Sequence, residues 1–126
     1  MPIEYTLEKD GTIVVAKASG VLTLDSFIAL QKALSADGEL QSPHNTLLDV
    51  RFVTEIQLTE DDLTTIAQSL TAGRKELGAE KLAIVARDEQ AFVLGEKYGT
   101  VEKGVEENVI VFVHIEVARS WLGIDN

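Results

Sequence analysis

The sequence predicts an α/β domain ordered ββαβαβαβα: a mostly parallel sheet of about five strands, an antiparallel hairpin at one edge, and helices packed on the sheet. Three observations lead there. Alternating or short continuous apolar runs recur at residues 3–7, 12–19, 46–50, 81–86 and 109–113. Capping residues followed by helix-spaced apolar residues fill the intervals after the second strand. Strands that alternate with helices of this length imply right-handed crossovers and parallel pairing. The 126 residues suit a single domain, 1–126, with no linker, repeat or low-complexity stretch.

Each element has its own signal. Ile3, Tyr5 and Leu7 alternate with Glu4, Thr6 and Glu8, which is strand periodicity with one wet face. Asp10-Gly11 follows, the residue pair of a two-residue hairpin turn. Residues 12–19 form the second, antiparallel and central strand. Thr23 caps the first helix, 24–36, with Leu22 and Phe27 spaced as a hydrophobic staple and Phe27, Leu30 and Leu34 inward. A loop closed by Pro43 places His44 in solvent. Residues 46–50 are a short buried parallel strand, and a loop crosses 51–58.

Thr59 caps the second helix, with Asp62 in the capping-box position and Leu58 and Leu63 as its staple. Leu63, Ile66, Ala67, Leu70, Arg74 and Leu77 follow helical spacing. Arg74 and Lys75 suit the helix dipole, and Gly78 suits its end. Residues 81–86 are the fourth strand. Asp88 caps a third helix with Ala91, Leu94, Gly95, Tyr98 and Val101 on one side, weakened by Gly95 and Gly99. Residues 109–113 are the last strand, and 115–122 a short helix with Trp121 inward.

Composition narrows the function classes. The chain has no cysteine, so disulfides, thiolate metal sites and cysteine nucleophiles are out. Its net charge is −10, with 11 basic against 21 acidic residues, which counts against nucleic acid and anionic membrane surfaces as partners. An acidic N-terminus without an apolar run, and no stretch of the ~20 apolar residues a membrane span requires, point to the cytoplasm. Neither standard nucleotide cradle occurs, nor a nucleophile elbow, nor a zinc-protease helix motif. Gly95 and Gly99 are spaced for a helix face. The acidic run of Glu60, Asp61 and Asp62 complements a helix N-terminus. No cofactor or metal is called for.

One constellation is a candidate ligand or partner edge. Ligands of open α/β sheets bind beyond the carboxyl ends of the strands. Asp49 with Arg51, Arg87 with Asp88, and His114 stand at three such ends in this reading, and Thr59 follows the first. The same residues also read as caps and ordinary polar strand ends.

The element order, the segment Leu47-Leu48-Asp49-Val50-Arg51 with Val53 and Ile56, and the ending Val111-Phe112 through Ala118 and Trp121-Leu122-Gly123 resemble the SpoIIAA-like proteins. These are small bacterial relatives of STAS domains, related in fold to CRAL-TRIO domains. The resemblance covers nearly the whole chain and rests mostly on core positions. It implies a non-catalytic module that binds a protein partner. Family members carry a pattern resembling D-L-x-x-V-x-x-I-D-S-S-G, whose second serine is a phosphorylation switch. Asp49, Val53 and Ile56 agree with it. Gln57, Leu58 and Glu60 replace the aspartate, the first serine and the glycine, and only Thr59 keeps a hydroxyl, at the switch position. A phosphate there meets Asp61, Asp62 and Glu60, a like-charge cost. His114 stands where such proteins commonly carry a helix-capping aspartate.

Three functions compete on these grounds. The resemblance favours a binding or regulatory module with an unidentified protein partner. The CRAL-TRIO relationship implies a carrier of a small apolar or lipid-like ligand. An enzyme requires Arg51, Asp88 and His114 to converge on one cleft. Self-association as a symmetric homodimer through helices is compatible with any of them.

Overall fold

The structure is a computed structural model that describes residues 3–59, 61, 62, 65, 79–89 and 109–124. Among these, five strands form one sheet in the order β1-β2-β3-β4-β5: β1 (Ile3–Glu8), β2 (Ile13–Thr23), β3 (His44–Gln57), β4 (Ala79–Val85) and β5 (Val109–Phe112). β1 and β2 are antiparallel, and the other neighbours are parallel. Two helices are described, α1 (Leu24–Ala36) and α2 (Ile115–Leu122), both with the bounds the sequence predicts. The residues expected to line the second helix beyond Asp62, and those of the third beyond Glu89, lie outside the described residues. Asp61, Asp62, Thr65, Asp88 and Glu89 have helical backbone.

The edge hairpin differs from the two-residue turn expected on Asp10-Gly11. Residues 9–12 connect the paired Glu8 and Ile13, and Lys9, Asp10 and Gly11 all have left-handed φ of 51, 58 and 86°. The Thr12 N–H and hydroxyl both donate to the Lys9 carbonyl, at 3.2 and 2.7 Å. Gly11 is buried against the 39–41 segment. Its carbonyl accepts the Gln41 N–H at 2.9 Å, and a β-carbon there would collide with the Glu39 carbonyl oxygen. Only glycine meets both the backbone and the space requirement.

α1 starts at a reciprocal cap. The Thr23 hydroxyl accepts the Ser26 N–H at 3.3 Å and the Ser26 hydroxyl accepts the Thr23 N–H at 3.4 Å. Leu22 is buried in the same cluster that Phe27 packs against, as a staple requires. α2 ends at Gly123 (φ 78°), whose N–H returns to the last turn. Lys9 and Lys81 donate to the carbonyls of Gly123 and Trp121, at 3.1 and 3.3 Å, placing positive charge at the negative end of that helix.

The sheet buries two unequal faces. Ala16, Ala18, Leu48, Val50, Leu82 and Ala86 join one cluster, against which Phe27 and Leu30 of α1 pack. Ile13, Leu47, Ala83 and Val85 form the second with Ala118 and Leu122 of α2. Trp121 is half-buried, its ring 5.6 Å from Phe112. α2 has eight residues and covers the part of its face formed by β3, β4 and β5. Further along β2 that face stays open: Lys17, Ser19 and Val21 are exposed.

β3 corrects two expectations. It continues to Gln57, through the stretch expected as a loop, and it starts at His44 rather than Thr46. His44 is 3% exposed, with its Nδ1 3.1 Å from the Gln41 carbonyl, so it is a packed strand residue and not a solvated one. Its register partner is Ala79, which draws it into the sheet. The cis Ser42–Pro43 bond precedes it.

Candidate functional site

The site arises from a mismatch between two parallel strands. From Lys17 to Thr23, β2 takes six steps while β3 takes eight from Asp49 to Gln57. The two extra residues are accommodated as irregularities, one between the Lys17–Asp49 and Ser19–Phe52 pairs, one after Gly20–Val53. A bulge bends a strand and re-aims its side chains. Here it lets Arg51 fold back on Asp49 while its neighbour Phe52 stands 50% exposed.

Asp49 is 6% exposed, and Arg51 saturates it. Oδ1 accepts the Arg51 backbone N–H and Nε, each at 3.0 Å, and Oδ2 accepts Nη2 at 2.8 Å. Burial pushes the carboxyl upward. The hydrogen bonds and charge of Arg51, with the charge of Lys17, together outweigh burial and hold it below the usual aspartate value of 3.8. The same fork raises Arg51, assisted by the charges of Asp49 and Glu116. Lys17 places its Nζ 4.1 Å from the Phe52 ring centroid, and the Arg51 guanidinium carbon lies 5.6 Å from it. Two cations thus flank one exposed aromatic ring.

Arg87 closes the other side. The β3–β4 register ends at Asp49–Val85, so beyond it β4 no longer pairs with β3. The Arg87 guanidinium supplies donors instead, to the Arg51 carbonyl at 2.8 Å and the Val53 carbonyl at 3.5 Å, while Nε bonds Glu89 at 2.7 Å. It extends the ladder with a side chain.

The other predicted residues stand apart. His114 occupies the N-cap position of α2 without a side-chain cap bond. It is exposed, with its Nδ1 3.7 Å from Glu116 Oε1, and the charge of Glu116 also acts on Arg51. Asp88 is exposed within the helical turn, one residue past the cap position expected for it, and no hydrogen bond or ion pair joins it to Arg51 or His114. Thr59 caps as predicted: its hydroxyl accepts the Asp62 N–H at 3.0 Å and its own N–H donates to Asp62 Oδ2 at 3.1 Å. Asp49 and Arg51 lie inside β3 rather than at its end, because the strand runs eight residues past Asp49.

Chemically, the cluster is closed on itself. Asp49 has its oxygens engaged, and Arg87 is committed to β3 carbonyls. What faces outward is Phe52, the Lys17 ammonium and the remaining Arg51 donors. Sequence reasoning missed Lys17 and Phe52. Phe52 falls out of phase with Leu48, Val50 and Val53, and the register that brings Lys17 beside it depends on a bulge that no turn residue announces. Among the described residues no group of three or more His, Cys, Asp or Glu could hold a metal ion. No helix among them is long and apolar enough to cross a membrane.

Solved structures share this architecture. An uncharacterized protein of the DUF3478 family from Shewanella loihica PV-4, described as having a SpoIIAA-like fold, superposes with a TM-score of 0.60 at 18% identity, over 95% of this chain and 93% of that one. This chain has a SpoIIAA-like fold. An anti-sigma factor antagonist from Mycobacterium paratuberculosis aligns with a TM-score of 0.57 at 17% identity, over 96% and 94% of the two chains. The anti-sigma factor antagonist SpoIIAA in its unphosphorylated form aligns at 0.54 and 10% identity, over 98% and 99%. No protein-family model and no curated protein matches the chain. The five-stranded sheet with its antiparallel β1–β2 hairpin and remaining parallel pairs agrees with the fold expected from sequence.

Proposed function

We propose that this chain is a single-domain, cytoplasmic, non-catalytic module that acts by binding a protein partner. The observation that carries the reading is the self-satisfied Asp49–Arg51–Arg87 cluster beneath an exposed Phe52. General acid–base work requires a group free to take or give a proton at a substrate. Here the buried carboxylate is held ionised by a fixed guanidinium, an arrangement that orients a surface. Two neighbours in fold bear the description anti-sigma factor antagonist, which supports a regulatory role.

Thr59 serves this module as a helix cap rather than a phosphorylation switch. Its hydroxyl is engaged with Asp62, and a phosphate would displace that bond and meet the charges of Asp61 and Asp62. The test is native mass spectrometry of the protein isolated from its source cells. A complex with a second, different protein is expected. A small apolar molecule retained by the chain would instead make it a carrier, and a chain-only dimer would make it a self-associating module.

A further inference from the structure

We propose that a second copy of this chain covers the outer face of α1, in an antiparallel pair of helices related by a two-fold axis. The inference goes beyond the protein-partner reading and does not depend on it. Phe27 and Leu30 of α1 pack on the sheet cluster, and Leu34 is buried. At about 100° per residue, the stripe opposite them holds Asp25, Ile28, Ala29, Lys32 and Ala36. Asp25, Lys32 and Ala36 are exposed, Ile28 is 39% exposed and Ala29 is half-buried. The chain carries −10, yet the thirteen residues of α1 hold one acid and one base and no other charge. Among the described residues neither Asp25 nor Lys32 forms an ion pair. Asp37 and Glu39 lie past the end of the helix, and the Asp37 carboxylate is engaged by the Tyr5 hydroxyl and the Glu39 N–H.

The order of these residues selects the occupant. In a two-fold contact, if one residue meets a second on the other copy, the second meets the first in return. A single axis between residues 28 and 29 of two antiparallel helices sets Asp25 against Lys32 of the second copy and Lys32 against its Asp25. The same axis sets Ile28 against the small Ala29, which lets the helices approach to about 8–10 Å. The face is therefore complementary to itself in charge and in size. The two copies of Asp25 stand seven residues apart along the pair, about 10 Å, beyond the ~8 Å over which exposed charges act at physiological salt. The rest of the acidic surface repels a second copy, and this neutral stripe does not. α1 lies on the opposite side of the sheet from Lys17, Ser19 and Val21, so the dimer leaves Phe52 open. One helix face makes a small interface, and a weak, concentration-dependent dimer follows.

The test is sedimentation equilibrium of the whole purified chain from about 10 μM to about 1 mM. The average mass should rise from one chain towards two. Asp25→Lys and Lys32→Glu should each weaken association about tenfold, because either reversal makes both facing pairs like-charged. An equimolar mixture of the two variants should regain the association of the parent, because every facing pair is then opposite in sign. A native circular dichroism spectrum of each variant separates lost association from lost folding. A chain that stays monomeric at about 1 mM, a dimer that neither reversal weakens, or a mixture that does not recover would overturn the proposal. Whether a different protein accompanies the chain from source cells is read separately, so this inference and the partner reading fail independently.

Discussion

Arg51→Met should destabilise the protein more than Asp49→Asn, although the two residues share the same bonds. The asymmetry comes from burial: the Asp49 side chain is 8% exposed and that of Arg51 33%. Losing Arg51 strands a buried carboxylate. Breaking a buried pair this way costs about 3–5 kcal/mol, and the partial exposure of Arg51 puts the expectation near the lower end, about 3 kcal/mol. Asp49→Asn keeps the shape and an acceptor for the Arg51 N–H, and the freed guanidinium can rehydrate, so a cost of about 1–2 kcal/mol follows. The pH dependence is diagnostic. In the parent, the Asp49 pKa is lowered, so its contribution is present above about pH 4 and is lost as pH falls through the folded-state value. In Arg51→Met, only the backbone N–H of residue 51 and the Lys17 charge are left to oppose burial, so the carboxyl pKa rises from its parent value and the stability gained on ionisation shrinks. The gap between the two proteins must therefore widen from pH 4 to pH 7. Urea unfolding followed by circular dichroism measures it. The double variant should cost at least about 1 kcal/mol less than the sum of the singles. An Arg51→Met cost equal to or below that of Asp49→Asn at pH 7, or one independent of pH, would refute the reasoning.

Other positions give sharper local tests. Gly11→Ala meets both a left-handed φ and the Glu39 carbonyl, so a loss of about 2–3 kcal/mol is expected in urea melts, while alanine at Gly20, where a β-carbon has open space, meets only the φ requirement and costs less. Thr23→Ala and Thr59→Ala should each lower stability by about 1 kcal/mol through a lost cap, read as a shift in unfolding midpoint at unchanged m-value. Tyr5 donates to Asp37 at 2.7 Å, and that bond, with burial and the Asp37 charge, raises its ionisation above the usual 10.0. In an ultraviolet titration the raised Tyr5 signal should disappear in Tyr5→Phe and move down in Asp37→Asn.

The elements with strong local chemistry were legible in the sequence. Thr23 and Thr59 cap as their neighbours dictate, and α1 and α2 have the predicted bounds because their apolar residues hold a helical spacing. β3 was legible only where both faces are buried. Past Val50 it loses β4, gains two extra residues against β2, and mixes Arg51, Thr54 and Glu55 with Val53 and Ile56, so neither strand period survives. The candidate site follows the same division. Asp49, Arg51 and Arg87 were found as polar groups near strand ends. Their true arrangement, a fork within β3 and a side-chain extension of its ladder, depends on bulge positions that only the paired strands define. His44 was misread because a polar loop composition conceals a residue that pairs at the start of a strand.

Hydrogen–deuterium exchange of the complex isolated from source cells, compared with the free chain, tests the central claim most directly. The account predicts a heteromeric protein complex in which the partner protects the open stretches of β2 and β3, around residues 17–21 and 49–57. Protection confined to other elements, or a chain that holds only a small molecule, would contradict it.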